Sequence, residues 1–292
     1  MSYRLGVDVG GTFTDLVLVA PDGVARTCKV LSTTANYAQA IIAGLRDLAG
    51  QAGIAAADIG EIIHGTTVAT NAILERRGAR AGLLTTEGFP DLLEIGRLRL
   101  SRLYDLDFER PSPLVPRRWR REIRERMNHR GEVVTPLDRD GAAAAIDRLL
   151  AEGVESIAVC FLHAYANPAH EAAVGAMIRA RAPHVALTLS SEILPEMREF
   201  ERTSTAVTNA YVMPVMGRYL ASLEGELRAL DTRAPLLIMQ SNGGVMTAEG
   251  GRQRPVHVIE SGPAAGVIAT SALARAIGAP NALSIDMGGT TA

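Results

Sequence analysis

The sequence has 292 residues, of which 47% are hydrophobic and 21% charged, and its 30 Lys and Arg nearly balance 32 Asp and Glu. This composition is typical of a globular protein and argues against a polyanion-binding chain with a large basic surplus. No stretch approaches the ~18 apolar residues of a membrane span, so we expect a cytoplasmic protein without a membrane partner. Because the charges are balanced, we expect no nucleic-acid partner either.

The chain begins with short β-rich runs separated by glycine-containing turns. Residues 4 to 9 and 15 to 20 flank the loop GGTFT, and PDG at 21 to 23 leads into a third run that ends near Leu31. Pro, Asp and Gly between such runs are typical of tight turns between antiparallel strands. The sequence therefore predicts a β-meander with a glycine loop in its first connection.

Helical and strand-like segments alternate after the meander. A segment rich in Ala, Ile and Leu from Tyr37 to Gly50 has helical spacing. Strand candidates follow at 61 to 65, 82 to 86, 156 to 162, 185 to 189, 236 to 240 and 282 to 286. This alternation predicts an α/β fold with at least one mostly parallel, buried sheet. The Arg- and Pro-rich region from Arg97 to Thr135 shows no helical period, and we interpret it as an inserted subdomain with a long connection.

Three classes of residue argue against redox chemistry, a histidine-ligated metal and a nucleic-acid partner. Cys28 and Cys160 each lie in an apolar segment, which predicts buried, reduced thiols. The six histidines show no ligand-type spacing. The basic run from 117 to 126 is interrupted by Glu122 and Glu125, which favours a solvated strand or a subunit contact over a nucleic-acid surface.

A strand that ends in Asp-x-Gly-Gly-Thr occurs twice. VDVGGTFTD at 7 to 15 recurs in part as IDMGGTT at 285 to 291. Glycines let an anion approach the main chain, and neighbouring N–H groups can converge on that anion. A tight hairpin turn is the alternative for a single copy, but a turn has no reason to repeat this string so far away. We therefore interpret the pair as phosphate-binding loops, although neither is a Walker A or a Rossmann sequence.

The two strings predict the contacts of a nucleotide site. The expected phosphate contacts are Gly10, Gly11, Thr12, Thr14, Gly288, Gly289, Thr290 and Thr291. Asp8 and Asp286 lie at the strand ends and are the catalytic candidates of the two loops. We expect them to orient a hydrated Mg²⁺, because this ion keeps several waters and takes one or two carboxylates.

The motif HGTT at 64 to 67 ends a strand-like run and precedes a helical run that contains Asn71. His64 is a further catalytic candidate, because its imidazole can face a substrate or the γ-phosphate. Thr66, Thr67 and Asn71 are candidate substrate contacts in the same neighbourhood. The alternative is an N-cap threonine preceded by an ordinary loop histidine.

The motif SNGG at 241 to 244 follows the strand candidate LLIMQ. Ligand-binding loops of open α/β sheets follow the carboxyl ends of strands, so Ser241 and Asn242 are candidate substrate contacts. A plain turn is the alternative reading of this motif.

The segment from 261 to 278 predicts a helix. Ser261 can cap it, Pro263 suits its first turn, and Gly278 suits its C-terminal stop. An Ala-rich capped helix is common in any fold, which is the alternative to a special role. Glu260 and Ser261, after an apparent strand VHVI, are expected to add polar groups to the cleft.

Six stretches together carry a family resemblance. They are DVGGTFTD at 8 to 15, HGTTVATNAILERRGAR at 64 to 80, GLLTTEGFPDLLEIGR at 82 to 97, SNGG at 241 to 244, SGPAAG at 261 to 266 and DMGGTT at 286 to 291. These stretches span nearly the whole chain and resemble the hydantoinase A and 5-oxoprolinase family of the actin, sugar-kinase and Hsp70 superfamily. The resemblance implies an actin-like, ribonuclease H-like ATPase lobe with a β-meander and parallel strands, an inserted subdomain and the start of a second lobe.

The resemblance also implies a division of the chain. Residues 1–190 would form the hydantoinase A N-terminal region with the first phosphate loop. Residues 191–292 would form the first part of the hydantoinase/oxoprolinase domain, with an interdomain helix before the second loop. Because the superfamily's adenosine-binding elements follow the second loop, we expect a truncated N-terminal part that is inactive alone.

The function implied by the resemblance is ATP-dependent hydrolysis of a cyclic amide of the hydantoin, N-methylhydantoin or 5-oxoproline type. ATP and Mg²⁺ would be the cofactors, and the ring carbonyl oxygen would be phosphorylated. A second, hydantoinase B-type subunit would complete a hetero-oligomer. The alternatives are a subunit of an acetone-type carboxylase, a sugar kinase-like phosphotransferase, and a non-catalytic actin-like ATPase module.

Overall fold

The structure is a computed structural model that describes residues 2–33, 36–97, 104–105, 107–285 and 287. By their internal contacts the residues form two compact units, which we call unit 1 (Met1–Arg77 with Val215–Ala292) and unit 2 (Gly78–Pro214). The division at residue 190 concerns sequence regions and stays a prediction.

Strands and helices alternate along the chain. In chain order, the strands are β1 (Tyr3–Val9), β2 (Phe13–Val19), β3 (Ala25–Leu31), β4 (Ile59–Thr66), β5 (Ala81–Thr86), β6 (Arg120–Ile123), β7 (Arg126–Met127), β8 (Val133–Thr135), β9 (Ser156–Cys160), β10 (Ala186–Leu189), β11 (Leu236–Met239) and β12 (Val245–Thr247). The helices are α1 (Tyr37–Ala52), α2 (Val68–Leu74), α3 (Leu92–Ile95), α4 (Arg139–Ala151), α5 (Ala169–Arg181), α6 (Ser190–Ile193), α7 (Glu199–Ala229), α8 (Ala248–Gln253) and α9 (Ser261–Ala276). Within the described residues, no helix combines the length and the hydropathy needed to cross a membrane.

Unit 1 contains a six-stranded sheet in the order β12-β11-β4-β1-β2-β3. The strands β1, β2 and β3 pair antiparallel with one another and form the predicted meander. β4 pairs parallel with both β1 and β11, so the sheet continues from the meander into parallel strands. This arrangement confirms the predicted α/β fold with a meander followed by parallel strands.

Helix α1 packs against the meander through one apolar face. Leu45 and Leu48 on that face are both almost fully buried. The Asn36 side chain begins the helix by accepting a hydrogen bond from the Ala38 N–H at 3.2 Å. Gly53 ends it in the left-handed region at φ 66°, where glycine carries no steric penalty. The helix predicted from Tyr37 to Gly50 is therefore confirmed.

Unit 2 contains a four-stranded parallel sheet in the order β10-β9-β5-β6. Every residue of its two central strands, β5 and β9, is buried. One face packs on α4 and α5, through a core that includes Ile146, Leu149, Ile157, Val159, Val174 and Ile178. The other packs on the first half of α7, through a core that includes Leu83, Ala158, Ala206, Val207 and Ala210. Because both faces of the sheet are buried, the sequences of these strands are nearly continuous apolar runs.

The region from Arg97 to Thr135 differs in part from the expected separate insertion, because its strand β6 belongs to the parallel sheet. Arg120 begins β6 and is only 2% exposed. Its guanidinium donates to the carbonyl of Val115 at 2.6 and 3.0 Å and to that of Pro90 at 3.0 Å, and pairs with Glu94. A buried arginine is tolerated when its donors are satisfied in this way. The Arg-rich composition of this region therefore gave no indication of strand β6.

Two predicted strands are wrong. Residues 282 to 285 form no strand, and Leu283 and Ile285 are 85% and 81% exposed. No described strand pairs with them, and an isolated extended segment has no partner for its main-chain groups. The apparent strand VHVI instead lies in the 3-10 helix Pro255–Val258. Pro255 sits in its first turn, where the missing N–H is not needed.

Both cysteines are free, as predicted. Cys160 is buried, and its burial raises the pKa of the thiol above the ordinary value. Cys28 is only partly buried, so the prediction that it is buried is wrong, and its Sγ lies 3.3 Å from the Asp47 carboxylate. The pKa of the Cys28 thiol is also raised, so both environments disfavour the thiolate, which is the nucleophilic form.

A matched pair of glycines in α1 tests how tightly this helix packs on the meander. A Cβ at Gly44 would lie 2.4 Å from Cδ1 of the buried Leu16, whereas one at Gly50 would meet nothing within 4 Å. We expect Gly44→Ala to lower the free energy of unfolding by about 1–3 kcal/mol. Gly50→Ala should raise it by about 0.5–1 kcal/mol through helix propensity. Denaturant titrations measure both changes, and equal stability of the two variants would contradict the packing described.

Candidate functional site

A cavity of about 380 Å³ opens in unit 1 beside the first glycine loop. Its lining comes from the loop between β1 and β2 with the strand ends beside it, Lys29 of β3, the junction of β4 with α2, the N-terminus of α9, and Met287. Cavities of this size are typical of small-molecule sites. Sequence segments that are far apart along the chain therefore meet around one space.

The first glycine loop presents its main chain to this cavity. Gly10 donates its N–H to the Phe13 carbonyl at 2.9 Å, which closes the turn between β1 and β2. A Cβ at Gly10 would lie only 3.1 Å from that same carbonyl oxygen, so a larger residue would crowd the turn. Gly10, Gly11 and Thr12 all line the cavity, where they were expected to contact phosphates. Asp8 lines it as well.

Thr14 lies behind the loop and does not line the cavity. It is fully buried, and its Oγ1 lies 2.9 Å from the Ser32 Oγ. Ser32 in turn donates to the Gly10 carbonyl at 2.8 Å. The structure thus places Thr14 as a brace for the glycine loop, which does not fit the expected direct contact with a phosphate.

Pairing of β4 with β1 brings the HGTT motif to the same edge as the glycine loop. The register sets Gly65 opposite Asp8. Thr67 donates to the Val9 carbonyl through both its N–H, at 3.1 Å, and its Oγ1, at 2.9 Å. Asn71 donates to the Thr67 Oγ1 at 3.3 Å. Thr66, Thr67 and Asn71 all line the cavity, as their interpretation as substrate contacts requires.

His64 is fully buried and does not line the cavity. Its Nε2 lies 2.6 Å from the Tyr219 hydroxyl. Burial lowers the pKa of the imidazole to about 4, so His64 is neutral at pH 7. The structure therefore corrects the expectation that His64 faces a substrate: it supports the end of β4, two residues before Thr66.

The N-terminus of α9 is tied to the end of β4. Ser261 is fully buried and is the first residue of α9, not its cap. Its Oγ donates to the Thr66 carbonyl at 3.3 Å and lies 3.4 Å from the Thr66 N–H. Glu260 occupies the cap position with φ 62° and ψ 29°. Gly278 lies beyond the helix with φ 70°, in agreement with the predicted stop.

Two glycines surround the carboxylate of Asp8. A Cβ at Gly65 would lie 3.1 Å from the Asp8 Oδ1, and one at Gly262 would lie 3.8 Å from the same atom. The loop glycines were evident from the sequence, whereas these two were not assigned to the site. Both nevertheless belong to motifs that stand out in the sequence, Gly65 to HGTT and Gly262 to SGPAAG.

The charged residues that line the cavity are mostly acidic. Asp8, Asp15 and Glu260 contribute carboxylates, and Lys29 contributes an ammonium group. Lys29 lies opposite Asp15 in the β2–β3 pairing and contacts both carboxylate oxygens at 2.8 Å. Sequence reasoning missed Lys29 and Thr70 as lining residues, because neither belongs to a glycine motif. A polyphosphate entering this cavity needs a cation to offset the acidic lining.

Ser241 and Asn242 are not among the residues that line this cavity. They form the turn between β11 and β12, in which Ser241 donates to the His257 carbonyl from its N–H at 2.8 Å and from its Oγ at 3.0 Å. Asn242 Oδ1 accepts from the Gly244 N–H at 2.8 Å. These contacts match the alternative interpretation of SNGG as a plain turn.

The second glycine string lies largely outside the described residues. The predicted site residues that fall there are Asp286, Gly288, Gly289, Thr290 and Thr291. Met287, which is described, lines the same cavity as the first loop. Closure of the site by two facing loops stays a prediction.

Two family sequence profiles together match nearly the whole chain. Residues 4–182 match the sequence profile described as the hydantoinase/oxoprolinase N-terminal region. Residues 202–292 match the profile described as hydantoinase/oxoprolinase. The first match alone covers more than half of the 292 residues.

Individual relatives agree with the family profiles. The chain is 40% identical to caprolactamase subunit alpha of Pseudomonas jessenii, over 99% of this chain and 42% of that one. It is 33% identical to 5-oxoprolinase 1 of Arabidopsis thaliana, over 99% of this chain and 25% of that one. The chain thus spans less than half the length of these relatives.

Solved structures share the fold. The ATP-dependent caprolactamase of Pseudomonas jessenii superposes with a TM-score of 0.89 at 40% identity, over 98% of this chain and 42% of that one. A nucleotide-free acetone carboxylase superposes with a TM-score of 0.86 at 28% identity, over 95% of this chain and 41% of that one. Both similarities extend over unit 1 and unit 2.

The burial of His64 predicts a defined loss of stability in acid. Because its folded pKa is lowered to about 4 from 6.5, the unfolded chain gains a proton between these values and the folded chain does not. Stability is therefore complete above pH 6.5 and is lost as the pH falls towards 4, by about 2 kcal/mol at pH 5. His64→Asn should reduce the difference in Tm between pH 8 and pH 5.

The control for this measurement is His184→Asn, because His184 is exposed. It should keep the difference in Tm of the unsubstituted protein. An unchanged pH dependence in His64→Asn would show that the imidazole at residue 64 is not the buried neutral group described.

Proposed function

The chain belongs to the hydantoinase/oxoprolinase family, and from this premise we propose that it forms the nucleotide-binding part of an ATP-dependent enzyme that opens a cyclic amide. The observation that carries the proposal is the cavity in which Asp8, the first glycine loop and the HGTT motif meet. The ATP-dependent caprolactamase shares both sequence and fold with this chain. A lactam, hydantoin or 5-oxoproline ring is the proposed substrate class.

The residues around the cavity fit a nucleotide accompanied by a divalent cation. Gly10 and Gly11 leave the loop main chain accessible to a phosphate. The Asp8 carboxylate, bordered by Gly65 and Gly262, would orient hydrated Mg²⁺, with Asp286 of the second string as its counterpart. The acidic lining makes such a cation necessary for a triphosphate.

Activation of the substrate explains why ATP is needed. When bound, Mg-ATP supplies a γ-phosphoryl group whose transfer to the ring carbonyl oxygen removes amide resonance and exposes the carbon to water. The chain's own residues position the reactants and surround the transferring group with polar contacts. Thr66, Thr67 and Asn71 would orient the phosphoryl group or the ring.

Two common signatures of a nucleophilic route to amide cleavage find no support in this chain. The sequence contains no GxSxG motif, and Cys160 is buried with a raised pKa. This supports cleavage through phosphoryl activation over cleavage through a covalent acyl intermediate. We further propose that a second, hydantoinase B-type subunit completes the hydrolytic step, because the relatives include enzymes named as subunits.

A ketone carboxylase subunit is the second candidate. The likeness to acetone carboxylase, at a TM-score of 0.86, favours it, and phosphorylation of a carbonyl oxygen is chemically equivalent for a ketone. A sugar kinase and a non-catalytic ATPase module have less support, since the two structures that superpose over nearly the whole chain are an acetone carboxylase and a caprolactamase.

Phosphate release by the full-length protein with its companion subunit tests these candidates. The assay supplies Mg-ATP with caprolactam, hydantoin, 5-oxoproline, or acetone plus bicarbonate. Release that requires a cyclic amide and yields the ring-opened acid supports the proposal. Release that requires the ketone and bicarbonate assigns the carboxylase, and release without any substrate assigns the ATPase module.

Substitution of Asp8 tests the assignment of the cation. We expect Asp8→Asn to lower kcat at least ~100-fold, because an amide oxygen does not replace a carboxylate near Mg²⁺. The fold should persist, since Asp8 faces the cavity and its neighbours in β1 form the core. The assay is substrate-dependent phosphate release, accompanied by a thermal melt.

The matched control is Asp22→Asn in the turn after β2, where Asp22 accepts a hydrogen bond from the Val24 N–H at 3.0 Å. Asparagine can accept the same bond. This variant should retain full turnover. Near-normal turnover in Asp8→Asn would remove Asp8 from the site.

A further inference from the structure

Glu260 adopts a backbone conformation that glutamate rarely takes. Its φ of 62° and ψ of 29° lie in the left-handed region, which favours glycine and asparagine. Non-glycine residues in this region cluster at functional sites, where the surrounding structure holds them against the strain. Glu260 lines the cavity at the first glycine loop.

The structure holds Glu260 in place from both sides. Its N–H lies 3.3 Å from the Thr70 Oγ1, on the helix that follows the HGTT motif. The next residue, Ser261, is bound to the main chain of Thr66. These contacts use the main chain of Glu260 and leave its side chain out. A glycine would satisfy the same contacts without strain, so the backbone gives no reason for a carboxylate here.

Glu260 is an exposed residue and lines the cavity, and its carboxylate is not tied down by the described residues of the protein. Within the described part of the chain, no hydrogen bond or ion pair engages it. Lys29, the cation on the cavity lining, is held by both oxygens of Asp15. A carboxylate without a protein partner in a ligand cavity is a ready acceptor for an N–H or O–H of the ligand.

We propose that Glu260 is a catalytic residue that accepts the ring N–H of the cyclic amide during phosphoryl transfer. This rests on the function proposed above and narrows it to amides that carry a hydrogen on the ring nitrogen. In this assignment Asp8 serves the cation and the phosphates, and Glu260 serves the ring.

The atoms balance in a single step. The carbonyl oxygen forms a bond to the γ-phosphorus, and the bond from that phosphorus to the bridging oxygen of ADP breaks. The ring nitrogen gives its proton to the Glu260 carboxylate, and its electron pair forms the C=N bond of the phosphorylated imidate. Removing the proton makes the carbonyl oxygen a stronger nucleophile, because negative charge flows from nitrogen to oxygen.

Glu260→Gln separates proton transfer from binding. The amide oxygen of glutamine still accepts the N–H hydrogen bond, so KM for the lactam should change by less than about threefold. It cannot take the proton, so kcat for lactam-dependent phosphate release should fall by roughly 100-fold. The experiment uses the full-length protein with its companion subunit and the lactam on which the unsubstituted enzyme is most active.

Glu260→Gly separates catalysis from folding. Removing the strain should leave the Tm unchanged or raise it by about 2–4 °C, while kcat falls as in Glu260→Gln. The affinity for ATP, measured by equilibrium binding without lactam, should not fall in either variant, because each removes one negative charge from the acidic lining. A structural residue would give the opposite pattern, with a lower Tm and weaker ATP binding.

Asp231→Gly is the matched control for strain relief. Asp231 also has a positive φ, of 59°, but follows the end of α7 and does not line the cavity. This variant should retain kcat and gain the same small increase in Tm. A comparable loss of kcat in Asp231→Gly would overturn the inference.

Other results would also overturn the role proposed for Glu260. A kcat within threefold of the original in Glu260→Gln, or a loss of kcat that merely follows a loss of ATP binding or of Tm, overturns the role of Glu260 and leaves the proposed function intact. If none of the cyclic amides that carry a ring N–H stimulates phosphate release by the unsubstituted enzyme, the proposed function fails and this inference fails with it.

Discussion

The parallel pairing of β4 with β1 is the constraint on which the candidate site depends. It sets Gly65 beside Asp8 and lets Thr67 bind the Val9 carbonyl, which joins the HGTT motif to the glycine loop. Ser261 then ties α9 to Thr66 at the end of the same strand. One strand pairing thus gathers three motifs around one cavity. A loss of this register would separate all of them.

The cavity combines an accessible main chain with an acidic lining. Glycines at 10, 65 and 262 keep the space around the loop and Asp8 open, and any Cβ added at the first two would crowd a neighbouring oxygen. The carboxylates of Asp8, Asp15 and Glu260 exceed the charge of Lys29. This balance is suited to a nucleotide that arrives with its own cation. A carboxylate at the start of α9 is then obtained at the expense of a strained, left-handed backbone at Glu260.

Sequence reasoning succeeded where local pattern controls structure and failed where burial depends on distant partners. Turn residues and apolar spacing were enough for the meander and α1. Strand β6 was missed because Arg120 is buried through carbonyls supplied by Val115 and Pro90. Residues 282 to 285 have a strand-like composition but no described pairing partner. A strand exists only when another strand binds its main chain.

The sequence by itself determined the α/β class and the glycine loop with Asp8 at its edge, because spacing and residue type encode them directly, and its motifs carried the resemblance to the family. Only the tertiary structure decided which polar residues face the cavity. It placed Thr66, Thr67 and Asn71 on the lining, buried His64 and Thr14 behind it, and set Ser241 and Asn242 in a turn. Side-chain direction at a strand end follows from the register with the neighbouring strand, and that register joins residues more than fifty positions apart.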